Sequence, residues 1–398
     1  MKNIGPIIQK LLPEIIKLRQ HLHQNPELNY EEHNTAAQVL AHLKKIPNLD
    51  IRSGIGGTGI VATLGKEKKG PCVALRADMD ALPMQEESDL PYKSKVAGKM
   101  HACGHDGHTS CLVGAALVLA QCTEDLSSPV KFIFQPAEEN GAGGRTMCEE
   151  GALENPDVAA IFGLHGWPEM PQGQIGLCSG GFLAGTDDFE IDVHGTGGHA
   201  AFPHQGTDPI LIASHIVTAL QSIVSRNTDP LASAVVTVAQ FHAGSADNVI
   251  PPVAKLRGTV RTLNENVRAH TLKHLMRLTT QIAEGFGGEA DVRIDPGYPP
   301  LINDAQAIQT VRTIAQETLI ADIKTVNIQP VMGGEDFAFY AQQIPAAFFA
   351  LGLRAPHQDT YAHLHQPDFD FADDALPYGI KMHVEIARNF HRFWKPKK

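Results

Sequence analysis

Asp187-Asp188-Phe189-Glu190-Ile191-Asp192-Val193-His194 alternates charged and apolar side chains over most of its length. A period of two is that of a half-exposed strand, apolar on one face and wet on the other. The chain after it reads as a helix over 209–225, strands over 234–242 and 254–263, a helix over 266–285 and a strand over 289–294. That order, βαββαβ, is the split-βαβ unit of a ferredoxin-like α+β domain. It predicts a small domain inserted at 185–296 between two parts of a larger one, 1–184 and 297–398, which resumes at Gly297-Tyr298-Pro299-Pro300. Upstream the grammar differs. Apolar residues from Ile7 to Lys45 fall at helical spacing, broken at His23-Gln24-Asn25-Pro26, which predicts two helices and a turn. Runs over 59–64, 73–77 and 130–134 read as strands, with an Ala/Leu-rich helix over 109–121 between the last two. Strands alternating with helices imply a layered α/β domain.

Composition bounds the function. The 398 residues suffice for two to three domains at ~150 residues each. With 43% hydrophobic and 19% charged residues, a disordered tail protein or a fibre is excluded. The balance of 33 Lys+Arg against 44 Asp+Glu, net −11, argues against a general nucleic-acid or anionic-membrane binder and for small-molecule partners. The apolar stretch Cys111 to Ala120 is well short of the ~18 residues of a spanning helix. Gly5, Pro6, Pro13, Glu14, Lys17 and Arg19 interrupt any apolar signal core near the N-terminus, so a cytoplasmic protein is expected. Six Cys are too sparse for a disulfide scaffold, so each thiol reads as reduced core filler or a ligand.

Met100-His101-Ala102-Cys103-Gly104-His105-Asp106-Gly107-His108 packs three His and a Cys into a Gly-containing loop before a helix. Gly104 would let the Cys103 thiolate and the His105 imidazole turn onto one ion, and the helix N-terminus would help ionise the thiol. A His-rich capping loop with a buried Cys is the alternative. In Gln135-Pro136-Ala137-Glu138-Glu139-Asn140 two carboxylates follow a strand. Neighbours in extended chain point to opposite sides, so one could coordinate a cation while the other serves as base; solvated charge is the alternative. Ile161-Phe162-Gly163-Leu164-His165-Gly166 is an apolar strand ending in a His, which alone would read as a core histidine, and Ala362-His363-Leu364-His365-Gln366-Pro367 adds two imidazoles. Jointly, Cys/His, Glu-Glu, His and His at successive strand ends are hard to assign to packing.

With Gly197-Gly198-His199-Ala200, Asn248-Val249-Ile250-Pro251 and Met332-Gly333-Gly334-Glu335-Asp336-Phe337, these motifs resemble the metallopeptidase-related amidohydrolases of the hippurate hydrolase type. That family includes N-acyl-amino-acid amidohydrolases and auxin-conjugate hydrolases, and the resemblance runs in order along nearly the whole chain. It implies a zinc-peptidase-like α/β catalytic domain with the insert as lid or dimerisation domain. It also implies Cys103, His105, Glu139, His165 and His365 as ligands of one or two divalent ions (Zn, Mn, Co or Ni), with Glu138 as the base that activates water. His363 is the rival for the last ligand, but the family's His-x-Pro spacing to Pro367 fits His365. Asp78 and Asp80 would orient ligands through hydrogen bonds. His199 would stabilise the oxyanion, in some members from the other subunit, with a histidine that merely caps a turn of the lid the alternative. Asn248 and Arg261 would hold the oxyanion or the substrate carboxylate, with a surface salt bridge the alternative for Arg261; Gly333 to Asp336 would be structural or would support the ligands by hydrogen bonds. The implied reaction hydrolyses the amide of N-acetyl or aromatic N-acyl amino acids to a carboxylic acid and a free amino acid, in a chain that forms a homodimer or homotetramer through the insert. Rival readings are a dipeptidase, an N-acetyl-diaminopimelate deacetylase, and a metal-storage or metal-sensing protein. The last would need the ligands but not Glu138 beside them.

Overall fold

Ile8, Ile15, Leu18 and Leu22 recur at helical spacing, and they form the buried stripe of α1 (Gly5–Gln24) in the computed structural model, which describes residues 1–319 and 321–395. Helix α2 (His33–Leu43) follows, then strands β1 (Asp50–Ile55), β2 (Gly59–Leu64) and β3 (Cys72–Asp78). Every residue of β2 and β3 is buried, as in strands covered on both faces. Helix α3 (His105–Ala120) starts four residues earlier than its composition suggests. Gly104, at φ +86°, turns the chain so that His105, Asp106 and His108 enter the first, fully buried turn. Strand β4 (Val130–Gln135) is followed by β5 (Val158–Pro171) and β6 (Gln174–Leu177). The strand containing His165 therefore runs on to Pro171 instead of ending at the histidine.

The chain divides into two compact units. One comprises Met1–Gly180, Asn303–Gln329 and Asp336–Lys398, the other Gly181–Ile302 with Pro330–Glu335. The second thus extends past 185–296 at both ends and takes in a later segment, because Val331 N–H donates to Phe182 O at 2.9 Å and Ala184 N–H to Gly333 O at 2.8 Å. Its strands are β7 (Gly185–His194), β8 (Ala234–Ala243), β9 (Val253–Thr262) and β10 (Glu289–Pro296), in spatial order β8-β9-β7-β10 and antiparallel throughout. Helices α4 (Pro209–Ser222) and α5 (Glu265–Gly285) are capped by the Asp208 and Asn264 side chains. Ile212, Ile216 and Leu220 of α4 pack with Phe189, Ile191 and Val193 of β7. The opposite sheet face is a charge ladder: Glu190 meets Arg257 at 3.0 Å and Arg293 at 3.1 Å. Helix α4 continues into one wider turn, Ile223–Asn227. Pro209–Asn227 is long and apolar enough to cross a membrane by composition, but Ile212, Ile216 and Leu220 are spent on this core.

The first unit resumes with α6 (Ala305–Thr318), β11 (Lys324–Asn327), β12 (Ala346–Arg354) and α7 (Leu376–Phe393). Its sheet has eight strands in the order β1-β2-β4-β3-β5-β12-β6-β11. The central strands β4, β3, β5 and β12 are parallel. Their register places Asp78 beside Gln135 and Arg76 beside Gly163, so Asp78, the residues after Gln135, and His165 arrive at one edge. In open α/β sheets the carboxyl ends of the strands are where ligands bind.

Candidate metal centre

The loop after β3 and the first turn of α3 bring Cys103 and His105 to this edge. A Cβ on Gly104 would sit 3.1 Å from Cδ2 of buried Phe371, so the turn depends on glycine for space as well as for φ. Cys103 Sγ lies 3.4 Å from His165 Nε2, whose ring donates through Nδ1 to Gly166 O at 2.8 Å. His105 donates through Nδ1 to Asp80 O at 2.9 Å, leaving Nε2 buried without a hydrogen-bond partner among the described residues. That nitrogen is 3.9 Å from Glu138 Oε2 and 4.0 Å from Glu139 Oε1, the latter also buried without a hydrogen-bond partner. His365 Nε2 comes within 3.4 Å of the same Glu139 oxygen. Buried polar atoms are normally satisfied. Here the unsatisfied nitrogen and oxygen face each other among a thiol, two more imidazoles and a carboxylate, a donor set that suits a divalent ion of the Zn to Mn class.

The structure thus brings Cys103, His105, Glu138, Glu139, His165 and His365 together. His363 is turned away, its Nδ1 2.8 Å from Glu169 at the surface. The third histidine of the loop, His108, has both nitrogens engaged: Nδ1 donates to Asp78 Oδ1 at 2.7 Å and Nε2 accepts Gly166 N–H at 2.8 Å. Asp78 therefore steadies His108 and takes Arg76 at 2.6 Å, while Asp80 holds His105 and accepts the N–H groups of Glu138 and Glu139, each at 3.0 Å.

Glu138 and Glu139 are not in extended chain. Ala137 has φ +53°, a conformation costing an L-residue ~1–2 kcal/mol, and the two glutamates follow it in a turn. Their separation of roles would come from that turn and not from strand alternation. Glu138 Oε1 accepts Asp336 N–H at 3.4 Å, leaving Oε2 toward His105. Asp336 in turn accepts from Gln135, Arg76 and Gly144 N–H at 2.7, 3.1 and 2.8 Å.

Burial, with Glu139, Glu138 and Asp78 around it, pushes the Cys103 thiol well above its usual value, so in the bare protein the helix terminus does not ionise it. Burial disfavours a charged His105, but Asp78, Asp80 and Glu139 outweigh it and raise the ring to about 10. Burial holds His165 well below its usual value, neutral and able to offer a lone pair.

Sequence reasoning missed a buried network behind the loop. Arg19, buried, reaches Asp370 at 2.6 Å and Asp373 at 2.7 Å, and His23 meets Asp106 at 2.9 Å and Glu86 at 3.3 Å. Burial opposes charge on His23, but Asp106 and Glu86 raise it to about 10. The available signal was that Arg19 and His23 stand four apart on the apolar stripe of α1, each directly after a buried leucine, Leu18 and Leu22.

In the second unit His199 sits on a short ribbon, Gly198–His199 with Val249–Ile250, and Ala200 N–H donates to Asn248 O at 3.0 Å. Ala201 N–H donates to His199 Nδ1 at 3.1 Å, so the neutral ring carries its proton on Nε2. Arg261 pairs with Thr186 at the end of β9 remote from Val253, eight residues or roughly 26 Å along the strand. The ribbon joins His199 and Asn248 but not Arg261.

A family model described as peptidase family M20/M25/M40 matches residues 74–389. The N-acetyl-L-cysteine deacetylase of Bacillus subtilis (strain 168) is 41% identical over 369 residues, 93% of this chain and 86% of that protein. IAA-amino acid hydrolase ILR1-like 4 of Arabidopsis thaliana is 41% identical over 387 residues, 94% of this chain and 85% of that protein. Among solved structures, the Bacillus subtilis YXEP protein, a dinuclear metal-binding peptidase of the M20 family, is similar at a TM-score of 0.85 and 35% identity, covering 97% of this chain and 100% of that one. The chain is a metal-dependent amidohydrolase that takes one or two divalent ions. The family match begins within β3 and ends within α7, spanning Cys103, His105, Glu138, Glu139, His165, His199, Asn248, Arg261 and His365, and the chain belongs to peptidase family M20/M25/M40.

Proposed function

We propose that the chain cleaves N-acetyl and aromatic N-acyl amino acids, with Cys103, His105, Glu139, His165 and His365 holding the metal and Glu138 acting as general base. The observation that carries this reading is the pair of unsatisfied buried atoms, His105 Nε2 and Glu139 Oε1, with Glu138 Oε2 3.9 Å from the same nitrogen. When bound, the divalent ion supplies Lewis acidity toward water and toward the amide carbonyl. Glu138 takes a proton from the attacking water on a carboxylate oxygen and returns it to the departing nitrogen as the C–N bond breaks. His199 donates from Nε2 to the oxygen that gains charge, Asn248 supports that contact, and Arg261 pairs with the substrate carboxylate. The names of the deacetylase and the IAA-amino acid hydrolase support an N-acyl amino acid substrate.

A substrate panel tests this. With one metal, kcat/KM for N-acetyl-methionine and hippurate should exceed that for Gly-Met and Gly-Gly. His199→Ala should leave metal content unchanged and lower kcat ~10²- to 10³-fold, as loss of an oxyanion donor does. A clear preference for free dipeptides would move the chain to a peptidase reading, and an unaffected kcat would reduce His199 to a turn residue.

The same reading includes a homodimer through the second unit. Strand β8, Ala234–Ala243, is a sheet edge without a Lys, Arg, Asp, Glu or Pro, and Val235 and Phe241 on it are 38% and 41% exposed. Neighbouring α4 exposes Ile210 and Leu211 at 37% and 49%. An uncharged edge of this length pairs readily with a copy of itself about a two-fold axis. Sedimentation should give a dimer or a multiple of it for the wild type and a monomer for Val235→Lys/Phe241→Lys; a monomeric wild type would refute the interface.

A further inference from the structure

Two left-handed stretches of backbone beside the centre converge on one buried carboxylate. Tyr30 at φ +63° and Ala137 at φ +53° both donate their N–H to Glu32 Oε1, at 3.0 and 2.8 Å. Glu32 Oε2 accepts the Thr58 hydroxyl at 2.6 Å, and the residue is 0% exposed. Ala137 immediately precedes Glu138, and its carbonyl accepts Gly143 N–H at 3.1 Å, closing the turn. Tyr30 reaches the same turn from outside, its hydroxyl donating to Gly141 O at 2.6 Å. The next two amides, of Glu138 and Glu139, go to Asp80. Three consecutive N–H groups are therefore captured by two buried carboxylates.

Left-handed alanine persists only where its surroundings over-determine it, and such strain concentrates at functional sites. Among the described residues, Glu32 supplies that constraint on the Ala137 amide. We infer that Glu32 is a positioning residue: it touches neither substrate nor metal, but fixes the peptide from which Glu138 and Glu139 project. This inference rests on the roles proposed above for those two residues.

What the geometry asks of Glu32 is reach and acceptor count. A glutamine keeps both, because its amide oxygen can accept the Tyr30 and Ala137 N–H groups while its NH₂ donates to Thr58 Oγ1. An aspartate keeps the charge but is shorter by one carbon–carbon bond, ~1.5 Å, and cannot reach both amides from the start of α2. In metal-loaded enzyme, E32Q should stay within a few-fold of wild-type kcat. E32D should lose ~10- to 100-fold in kcat with KM little changed, the effect of a small misplacement of a reacting group. It should also retain less metal after gel filtration, read by elemental analysis, because Glu139 moves with the turn.

Wild-type kcat and metal content in E32D would overturn the inference. So would an E32Q as impaired as E32D, since that assigns the effect to the charge. E138Q measured alongside separates the two levels. If E138Q is as active as wild type, the roles given to the turn fail; if E138Q is inactive while E32D is normal, only the role of Glu32 fails.

Discussion

Replacing Glu138 with Gln should lower kcat roughly 10²- to 10⁴-fold, the contribution of a general base, while elemental analysis still finds the metal. The expectation follows from how the residue is held. Glu138 Oε1 accepts the Asp336 amide, and Oε2 lies 3.9 Å from His105 Nε2, at the edge of the donor set. Glutamine keeps the shape and loses the proton acceptor. Glu139→Gln should do the opposite first, shedding metal, because Glu139 Oε1 is the buried oxygen that faces both His105 and His365. The reverse pattern in metal analysis would mean that ligand and base have been exchanged in this reading.

Removing the metal should abolish hydrolysis altogether, and restoring Zn, Mn, Co or Ni should bring it back. The thiol, imidazoles and carboxylates of the cluster offer lone pairs or protons, and the Lewis acidity the amide needs is what a divalent ion supplies. The melting temperature should rise with added ion, since an ion that binds the folded chain alone stabilises it by mass action. Cys103→Ala, which deletes the thiol 3.4 Å from His165, should retain metal less well through gel filtration. Full activity in protein shown by elemental analysis to be metal-free would sink the metal reading.

Much of this was legible before any coordinates. The strands over 59–64 and 130–134 announce themselves through β-branched and aromatic runs, and the alternation from Asp188 to His194 matches the charge ladder outside and Phe189, Ile191 and Val193 inside, while Asp187 is buried on the inner face against Arg268. The ligand-type residues could be picked out because Cys, His and paired Glu are rare at successive strand ends. Local backbone geometry was less visible. His105-Asp106-Gly107-His108 are poor helix formers, and they are helical because Gly104 redirects the chain into a buried niche. The apolar run over 161–166 reads as a strand ending at His165, yet β5 passes through Pro168 to Pro171. Ala137 carries no mark of its positive φ. Arg19 and Glu32 look like ordinary helix charges in sequence, and their meaning comes from partners as distant as Asp373 and Ala137.

The contact between Gly104 and Phe371 limits how this centre can drift in evolution. A Cβ on Gly104 would press on the Phe371 ring, and one on Gly107 would overlap it outright. Phe371 lies six residues after His365, on the segment that Arg19 anchors through Asp370 and Asp373. A side chain gained at either glycine would therefore displace the aromatic ring and, with it, the segment that delivers the outermost histidine. Two ends of the donor set that are far apart in sequence are thus coupled through a residue with no chemistry of its own. A side chain at 107 can be accepted only with a smaller residue at 371, while Gly104 is held by its φ of +86° as well, so lineages that keep the cluster should keep both glycines wherever they keep the phenylalanine.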